Sequence, residues 1–328
     1  MGVNVAIHTT RRPEKFQAIT NLVKAELSRP EEVNFLHTPY PNDVLEIADK
    51  MDVLVCYTVP REAFREAERL SWIHIGTAGI DHTIFPELVR SDVIVTNARG
   101  IHAGPASEFV MAQMLYFAKN FEEFQEFKQS RQWSQWELAA KISVLTGKTI
   151  GIVGLGAIGL NLAEKAKAFD MNVLATKHSI SPEDQYANVD KLLPRNRLHL
   201  LLRESDYVVL TIPLTPETDH MIDESALHQM KSSAFLINIA RGRVIDEKAL
   251  IRVLRSHQIA GAALDVFEHE PLPENSPFFD LDNVLLSPHV SGNFPDYLKW
   301  ASRDFGENLN RYLNGERLRN IVDKDRGY

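Results

Sequence analysis

Three polar residues in the second half of the chain, Arg241, Glu270 and His289, each follow a predicted strand. The carboxyl ends of parallel strands are where open α/β sheets bind their ligands. A guanidinium can hold a carboxylate through two parallel hydrogen bonds, and an imidazole can give or take a proton near neutral pH. A carboxylate beside that imidazole would fix its tautomer and stabilise its charged form. The three residues are therefore suited to proton transfer on a small anion that carries a carbonyl group.

Each of these residues also has a plain structural interpretation. Arg241 could be a solvated turn residue like its neighbour Arg243, and Glu270 could be one of several acids in an acidic loop. His289 could be a buried histidine whose ring nitrogens are satisfied by the core. Taken singly, the residue types leave both interpretations open.

A glycine-rich turn precedes this trio in the chain. Residues 154–159 read Gly-Leu-Gly-Ala-Ile-Gly, directly after an apolar stretch and before a predicted helix. Gly154 permits a tight turn, Gly156 lets the backbone approach a pyrophosphate, and Gly159 allows close packing of helix on sheet. The start of the helix, at Ala157 and Ile158, offers unpaired N–H groups to the anion. The alternative is a structural turn, but the strand, turn and helix together indicate a dinucleotide site.

The next predicted strand ends in an unexpected way. Enzymes that use NAD usually present Asp or Glu to the ribose 2′-hydroxyl about twenty residues after the glycines. Here the strand at residues 172–176 is followed by Lys177, His178 and Ser179. A cation and an imidazole could pair with a 2′-phosphate, which predicts that NADP is preferred over NAD. The alternative is a solvated strand end without nucleotide contact.

The elements that must position these residues form two β–α alternations, which predicts an α/β protein with mainly parallel sheets. Strands of the first alternation are predicted at residues 3–8, 33–37, 53–56, 72–75 and 93–96. Strands of the second are predicted at residues 148–153, 172–176, 207–212, 234–239, 260–266 and 283–287. Six strands are the number in a dinucleotide-binding sheet. An amphipathic helix is expected at residues 297–313, and the C-terminus is expected to pack back on the first lobe.

Composition limits the class of protein. The chain has 328 residues, a length that is typical of two domains. Its 44% apolar and 24% charged residues are typical of a globular protein. Its net charge of −8 argues against nucleic acid as a partner. The single cysteine, Cys56, cannot form an intrachain disulfide, and the N-terminus lacks the order of a signal peptide, so a cytoplasmic location is expected. No membrane segment and no metal-binding spacing are apparent.

The segment at residues 121–148 shows no obvious strand or core pattern and carries Trp133 and Trp136 among many polar residues. The two tryptophans could pack in a core. Their polar surroundings favour an interface, and we expect them to reach a second copy of the chain in a homodimer.

Taken together, these patterns resemble the D-isomer-specific 2-hydroxyacid dehydrogenase family. The resemblance is carried by residues 151–159, 230–246, 265–273 and 287–292, and it extends over nearly the whole chain. In that family an arginine in the position of Arg241 binds the substrate carboxylate. A histidine in the position of His289 is the acid–base group, and a glutamate in the position of Glu270 supports it.

The resemblance implies further assignments. A loop of the first lobe would receive the substrate carboxylate on the backbone N–H groups of Ala78 and Gly79. Asp265 would contact the nicotinamide carboxamide, and Pro213 and Ile239 would line the cofactor. The implied fold is a Rossmann dinucleotide-binding domain, residues 99–292, inserted into a flavodoxin-like substrate-binding domain, residues 1–98 and 293–328.

The implied activity is hydride transfer between nicotinamide and a small 2-oxo or 2-hydroxy acid similar to glyoxylate or hydroxypyruvate. Relatives that act on phosphoglycerate are a first alternative. A phosphorylated substrate needs extra cations in the cleft, and near the first-lobe loop that holds Ala78 and Gly79 the sequence offers only His82 and Arg99. A second alternative is a non-catalytic protein that senses NAD(H) and binds partners. His82 and His102 could line the cleft but are more often solvated loop residues.

Overall fold

Two separate parallel sheets organise the chain in this computed structural model, which describes residues 2–81, 83–181 and 184–328. The first unit comprises Met1–Ile101 and Phe294–Tyr328, and the second comprises His102–Asn293. The expected alternation of strands and helices with parallel sheets is confirmed in both units. His82, one of the weaker candidate residues, lies outside the described residues.

Across the described residues, the strands alternate with helices as the sequence pattern predicts. The strands are β1 (Val3–His8), β2 (Val33–His37), β3 (Val53–Cys56), β4 (Trp72–Ile75), β5 (Ile94–Asn97), β6 (Thr149–Val153), β7 (Asn172–Lys177), β8 (Lys191–Pro194), β9 (Tyr207–Leu210), β10 (Phe235–Asn238), β11 (Gly261–Leu264) and β12 (Val284–Leu286). The helices are α1 (Pro13–Glu26), α2 (Pro41–Glu46), α3 (Arg61–Glu66), α4 (Pro86–Arg90), α5 (Ala103–Lys119), α6 (Phe121–Ser130), α7 (Gln135–Ala139), α8 (Ala157–Ala168), α9 (Leu198–Glu204), α10 (Glu224–Leu227), α11 (Glu247–Arg255) and α12 (Tyr297–Leu313).

The sheet of the first unit has the strand order β2-β1-β3-β4-β5, which is the flavodoxin-like order. Alternate residues of its strands enter two different apolar clusters. Ala6 of β1 belongs to one cluster, while Val5 and Ile7 belong to the other. Helices therefore cover both faces, as a parallel sheet requires. Helix α12 packs against α1, so the C-terminal segment lies on the first unit as expected.

The sheet of the second unit has the order β12-β11-β10-β9-β6-β7-β8. Numbered within this unit, the order is that of a Rossmann sheet with one additional strand at the β12 edge. The expectation of six strands was wrong, because β8 was not recognised. It is a four-residue edge strand that pairs only with β7 and ends in Pro194, whose missing N–H is tolerated at a sheet edge.

Both faces of this second sheet are also buried. Val208 and Leu210 of β9 join one apolar cluster, and Tyr207 and Val209 join the other. All neighbouring strands run parallel, so the residues that follow β6, β7, β9, β10, β11 and β12 emerge at one edge. This carboxyl edge collects the candidate residues of the second unit. Among the described residues, no helix is long and apolar enough to cross a membrane.

Candidate active site

The glycine-rich turn lies between β6 and α8, and each glycine has a different environment. Gly154 has a φ of +102°, and a Cβ added there would lie 2.4 Å from Cγ2 of Ile212. A Cβ at Gly159 would lie 2.4 Å from the carbonyl oxygen of Gly154, so this glycine permits the close packing of helix on turn. A Cβ at Gly156 would meet no protein atom within 4 Å.

The open position at Gly156 stands directly before the first residue of α8, Ala157. The start of a helix carries unpaired N–H groups and a partial positive charge, which together favour a phosphate group. Of the three glycines, Gly156 is thus the one beside which space is left open for a ligand. The space beside Gly154 and Gly159 is occupied by other atoms of the protein. These residues fit the pyrophosphate of a dinucleotide.

Two of the predicted cofactor-lining residues follow neighbouring strands at the same edge. Pro213 follows β9, and its carbonyl oxygen accepts a hydrogen bond of 2.7 Å from the Thr218 hydroxyl, which folds the loop back on itself. Ile239 follows β10 and is buried. Because β9 lies between β6 and β10, Pro213 emerges next to the turn at Gly154, and Ile239 emerges one strand further along the same edge.

His289 and Glu270 are brought into direct contact at the carboxyl edge. Nδ1 of His289 lies 2.7 Å from Oε2 of Glu270. The other carboxylate oxygen of Glu270 accepts a hydrogen bond of 3.0 Å from the backbone N–H of Phe267, which orients the carboxylate. Because Nδ1 faces the carboxylate, Nε2 is the ring nitrogen left to exchange a proton with a ligand.

Asp265 organises the segment that carries His289. Its fully buried carboxylate accepts hydrogen bonds from the Ser287 hydroxyl at 2.6 Å and from the backbone N–H groups of Val290 and Ser291, both at 2.9 Å. The N–H of His289 donates to the carbonyl oxygen of Asp265 at 2.8 Å. These bonds hold His289 at a φ of +55°, a backbone conformation that is uncommon for a residue with a side chain. The structural role of Asp265 at this turn was not foreseen from the sequence.

Arg241 follows β10 in a turn that the Asn238 side chain stabilises. Asn238 donates to the carbonyl oxygen of Arg241 at 3.0 Å and accepts from the N–H of Ala240 at 3.0 Å. The guanidinium of Arg241 donates to the carbonyl oxygen of Ala240 at 2.7 Å. The next residue, Gly242, touches the backbone of the loop that carries Glu270, and a Cβ there would lie 1.8 Å from the carbonyl carbon of Phe267. The Arg241 turn and the Glu270 loop are therefore packed backbone to backbone.

Lys177, at the end of β7, makes contacts that the sequence did not predict. Its ammonium lies 3.2 Å from both carboxylate oxygens of Asp184 and 2.6 Å from the hydroxyl of Tyr186. These hydrogen bonds, first that of Tyr186, raise the pKa of Lys177. The pKa of Asp184 is lowered, first by the backbone N–H of Ser181 and then by Lys177. A carboxylate is thus present near the strand end, although it comes from a later loop.

A second cation was missed at the same edge. Lys177 pairs in register with Pro194 of β8, so the next residue, Arg195, emerges beside the end of β7. The Arg195 guanidinium donates to the carbonyl oxygen of Glu217 in the loop after β9. The pKa of the Glu217 carboxyl is lowered mainly by a hydrogen bond from Thr215, with smaller contributions from the charges of Arg195 and His178. Recognition of β8 would have revealed Arg195.

In the first unit, the loop after β4 holds Ala78 and Gly79, and its carbonyl oxygens are bonded within the unit. The Gly76 carbonyl accepts from Tyr297 at 2.6 Å, and the Thr77 carbonyl accepts from the Ala98 N–H at 3.1 Å. Two further bonds complete the set, from Asn97 to the Ala78 carbonyl at 2.7 Å and from the Thr77 hydroxyl to the Gly79 carbonyl at 2.8 Å.

Fixing these carbonyls also fixes the N–H groups of the loop, because the N–H of each planar trans peptide points opposite to its C=O. Within the described part of the chain, the N–H groups of Ala78 and Gly79 donate to no backbone or side-chain acceptor. Successive unpaired N–H groups of this kind form a concave site for an anion such as a carboxylate. The role of Tyr297 in holding the loop was not anticipated.

His102 and the pair Trp133 and Trp136 lie away from the contact between His289 and Glu270 in the chain. Nδ1 of His102 lies 2.9 Å from the carbonyl oxygen of Gly292, so this ring contacts the backbone near the end of the second unit. Trp133 and Trp136 are 82% and 79% exposed, in the segment that forms α6 and α7. No group of three metal-ligating side chains occurs among the residues that the structure describes.

Comparison with known proteins identifies the family to which the chain is similar. A family model described as "D-isomer specific 2-hydroxyacid dehydrogenase, NAD binding domain" matches residues 111–291. The chain is 36% identical over 284 residues to a glyoxylate reductase from Thermofilum pendens, covering 85% of this chain and 83% of that protein. It is 34% identical over 284 residues to a D-3-phosphoglycerate dehydrogenase from Methanocaldococcus jannaschii, covering 86% of this chain and 53% of that protein.

Among solved structures, a D-isomer specific 2-hydroxyacid dehydrogenase from Xanthobacter autotrophicus Py2 in complex with NADPH and MES superposes with a TM-score of 0.83. Its sequence is 26% identical, and the match covers 100% of both chains. The fold is thus that of a known group of oxidoreductases.

Proposed function

Because this chain belongs to the D-isomer-specific 2-hydroxyacid dehydrogenase family, we propose that it reduces a small 2-oxo acid, such as glyoxylate or hydroxypyruvate, with a reduced nicotinamide dinucleotide. Members of this family are NAD(P)-dependent oxidoreductases that act on CH–OH groups. The similarity to a glyoxylate reductase over most of both chains supports a small substrate without a phosphate group.

The contact between His289 and Glu270 is the observation that carries this proposal. The turn at Gly154–Gly159 would hold a nicotinamide dinucleotide, and the chemistry that this cofactor would supply is a hydride for C2 of the 2-oxo acid. His289 gives a proton from Nε2 to the carbonyl oxygen, which becomes the hydroxyl group of the product. Glu270, 2.7 Å from Nδ1, stabilises the protonated ring that this step requires and keeps it oriented.

The substrate carboxylate needs partners that can hold a planar anion. Arg241 presents a guanidinium that can form two parallel hydrogen bonds to it and polarise the adjacent carbonyl. Ala78 and Gly79 offer backbone N–H groups, and this assignment is supported by the fixed carbonyl groups of their loop. Charge neutralisation by these groups favours a 2-oxo acid over an uncharged ketone.

The cofactor assignment has a general and a specific part. Gly156, Ala157 and Ile158 would receive the pyrophosphate, while Pro213, Ile239 and Asp265 would lie along the remainder of the dinucleotide. We also propose that NADP is preferred over NAD. This choice is supported by Lys177, His178 and Arg195, which lie at the ends of β7 and β8, where a dinucleotide-binding sheet would receive the ribose. It is also supported by the NADPH complex of the Xanthobacter autotrophicus protein.

A phosphoglycerate substrate is the second candidate, favoured by the similarity to the Methanocaldococcus jannaschii protein. Arg99, one of the cations it would need, already donates to the carbonyl oxygen of Ile321 at 3.2 Å and to the side chain of Asn320 at 3.5 Å. This arrangement weighs against a phosphorylated substrate. A non-catalytic NAD(H)-sensing protein would have no use for the contact between His289 and Glu270.

Two further assignments belong to the proposal. The exposed indoles of Trp133 and Trp136 support a homodimer in which the segment with α6 and α7 packs on a second copy, because large exposed aromatics are enriched at interfaces. A cytoplasmic location is supported by the single cysteine, Cys56, which is buried and unbridged.

Turnover of a panel of 2-oxo acids with NADPH and NADH tests the proposal. Glyoxylate and hydroxypyruvate should be reduced, with phosphohydroxypyruvate reduced far less well, as followed by the loss of reduced nicotinamide absorbance. His289→Asn should lower kcat by about 10² to 10⁴-fold while the Kd for NADPH stays nearly constant. If this variant keeps half of the wild-type kcat, or if no 2-oxo acid is reduced, the proposed function is wrong.

A further inference from the structure

The ammonium group of Lys177 is fully engaged by the loop that follows it. Its three N–H donors meet three acceptor oxygens, two on Asp184 at 3.2 Å and one on Tyr186 at 2.6 Å. The ammonium also lies 5.3 Å from the centre of the Tyr186 ring, within the range of a cation–π contact. A ligand anion can therefore reach Lys177 only by taking the place of one of these acceptors.

Asp184 is the acceptor that a phosphate would displace. Its contacts to Lys177, at 3.2 Å, are longer than the 2.7–2.9 Å typical of charge-assisted hydrogen bonds, whereas that of Tyr186 is short. The Lys177 and Asp184 side chains are 32% and 21% exposed, so water can reach this ion pair. Asp184 keeps a separate hydrogen bond of 2.9 Å from the Ser181 N–H, which would remain if Lys177 changed partners.

The same carboxylate would oppose a 2′-phosphate by charge. With Lys177 neutralised by Asp184, and with Glu217 near Arg195 and His178, the edge that should attract the phosphate carries nearly balanced charge. Compared with an edge that lacks Asp184, an anion that binds there is attracted less strongly by Lys177 and is repelled by the Asp184 carboxylate. A ribose 2′-hydroxyl, which has no charge, is not penalised in this way.

We propose that Asp184 competes with the nucleotide 2′-phosphate for Lys177 and thereby sets how strongly this chain discriminates NADP from NAD. Asp184 acts as the specificity-determining carboxylate that is missing from the end of β7. It is supplied seven residues later, by a loop residue whose contact with Lys177 is exchangeable. The inference rests on the proposed nucleotide site but not on the proposed substrate or on catalysis.

Two nucleotide fragments isolate the effect, because adenosine 2′,5′-bisphosphate and 5′-AMP differ only in the 2′-phosphate and neither contains nicotinamide. Isothermal titration calorimetry gives the Kd of each fragment for the full chain. Asp184→Asn keeps an oxygen that can accept from Ser181 but removes the charge. It should bind the bisphosphate about fivefold more tightly than wild type, as expected for loss of a partly exposed ion pair, with the Kd of 5′-AMP unchanged.

A matched control is available beside the other end of β7. Asp190 also pairs with a lysine, Lys167, at 2.9 Å and accepts a backbone hydrogen bond, from Val173 at 2.7 Å, but these contacts lie at the opposite end of β7. Asp190→Asn should change neither Kd. Lys177→Met should weaken binding of the bisphosphate at least tenfold and leave 5′-AMP unaffected.

The outcomes separate this inference from the proposed function. The inference is overturned if Asp184→Asn behaves like Asp190→Asn, if both fragments gain affinity equally, or if wild type binds neither fragment. The last result would also remove the nucleotide site. If Asp184→Asn tightens bisphosphate binding while wild type reduces no 2-oxo acid, the inference stands and the proposed reaction fails.

Discussion

Gly242 offers a sharp test of how the Arg241 turn and the Glu270 loop are held together. A Cβ at this position would lie 1.8 Å from the Phe267 carbonyl carbon and 2.2 Å from the Glu268 nitrogen. Carbon atoms in contact stand about 3.5 Å apart, so Gly242→Ala must push the two backbones apart by roughly 1.5 Å. Glu270 follows Phe267 by three residues, and Arg241 precedes Gly242. The displacement therefore separates the guanidinium proposed to bind the substrate carboxylate from the proposed acid–base pair.

A misplacement of about 1 Å at a reacting centre can cost about 10²-fold in rate, and overpacking costs about 1 to 3 kcal/mol of stability. We expect Gly242→Ala to lower kcat for 2-oxo acid reduction about 100-fold, with the Kd for NADPH changed little. Steady-state kinetics, nucleotide fluorescence titration and thermal unfolding measure these effects separately.

The control is Gly104→Ala, because a Cβ at Gly104 in α5 would meet nothing within 4 Å. This variant should keep its kcat and be slightly more stable, since alanine favours helix over glycine. If Gly242→Ala retains kcat within about threefold of wild type while Gly104→Ala does the same, the backbone contact does not position the site and the reasoning is wrong.

Other variants test separate parts of the structure. Arg241→Lys should raise KM for a 2-oxo acid strongly, because an ammonium cannot reproduce the two-pronged contact; unchanged kinetics would make Arg241 structural. Burial raises the pKa of Tyr297 to about 12, so its hydroxyl remains a hydrogen-bond donor. Tyr297→Phe should raise KM for a 2-oxo acid more than it lowers kcat. A kcat that falls by the same factor as KM rises would contradict a positioning role. Burial lowers the pKa of His74 from 6.5 to about 4, so between these pH values the unfolded chain binds a proton at His74 and the folded chain does not. The free energy of unfolding should therefore fall by up to ~3 kcal/mol as the pH drops from about 6.5 to 4. Urea unfolding of wild type and of His74→Gln at a series of pH values checks this prediction. An equal loss of unfolding free energy at low pH in both proteins would contradict it. Replacing Trp133 and Trp136 with glutamate should convert a dimer to a monomer in sedimentation, whereas a monomeric wild type would remove the proposed interface.

The fold was largely predictable because its strands are short, apolar and regularly alternated with amphipathic helices. The strand at Val3–His8 and the helix at Tyr297–Leu313 have the bounds that periodicity predicted. The strand at Lys191–Pro194 was missed because its four residues include a lysine and a proline, so neither alternation nor apolar length marks it. Its place at the sheet edge is fixed by pairing with β7, which is a tertiary contact.

The candidate site was predictable where strand ends bring residues together. Glu270 and His289 are nineteen positions apart, yet both follow neighbouring strands, β11 and β12, and the structure places them in contact. Residues that reach the site from loops cannot be recognised from strand positions in this way. Nothing in the spacing shows that Asp184 reaches back to Lys177, or that Tyr297 donates to the carbonyl of a glycine 221 residues earlier.

The handedness of the product formed from hydroxypyruvate is the most direct measurement of the central claim. Wild type with NADPH should convert hydroxypyruvate to D-glycerate, as resolved by chiral chromatography, and His289→Asn should form almost none while still binding NADPH. Formation of L-glycerate, or equal product from wild type and His289→Asn, would contradict a D-specific 2-hydroxyacid dehydrogenase in which His289 supplies the proton.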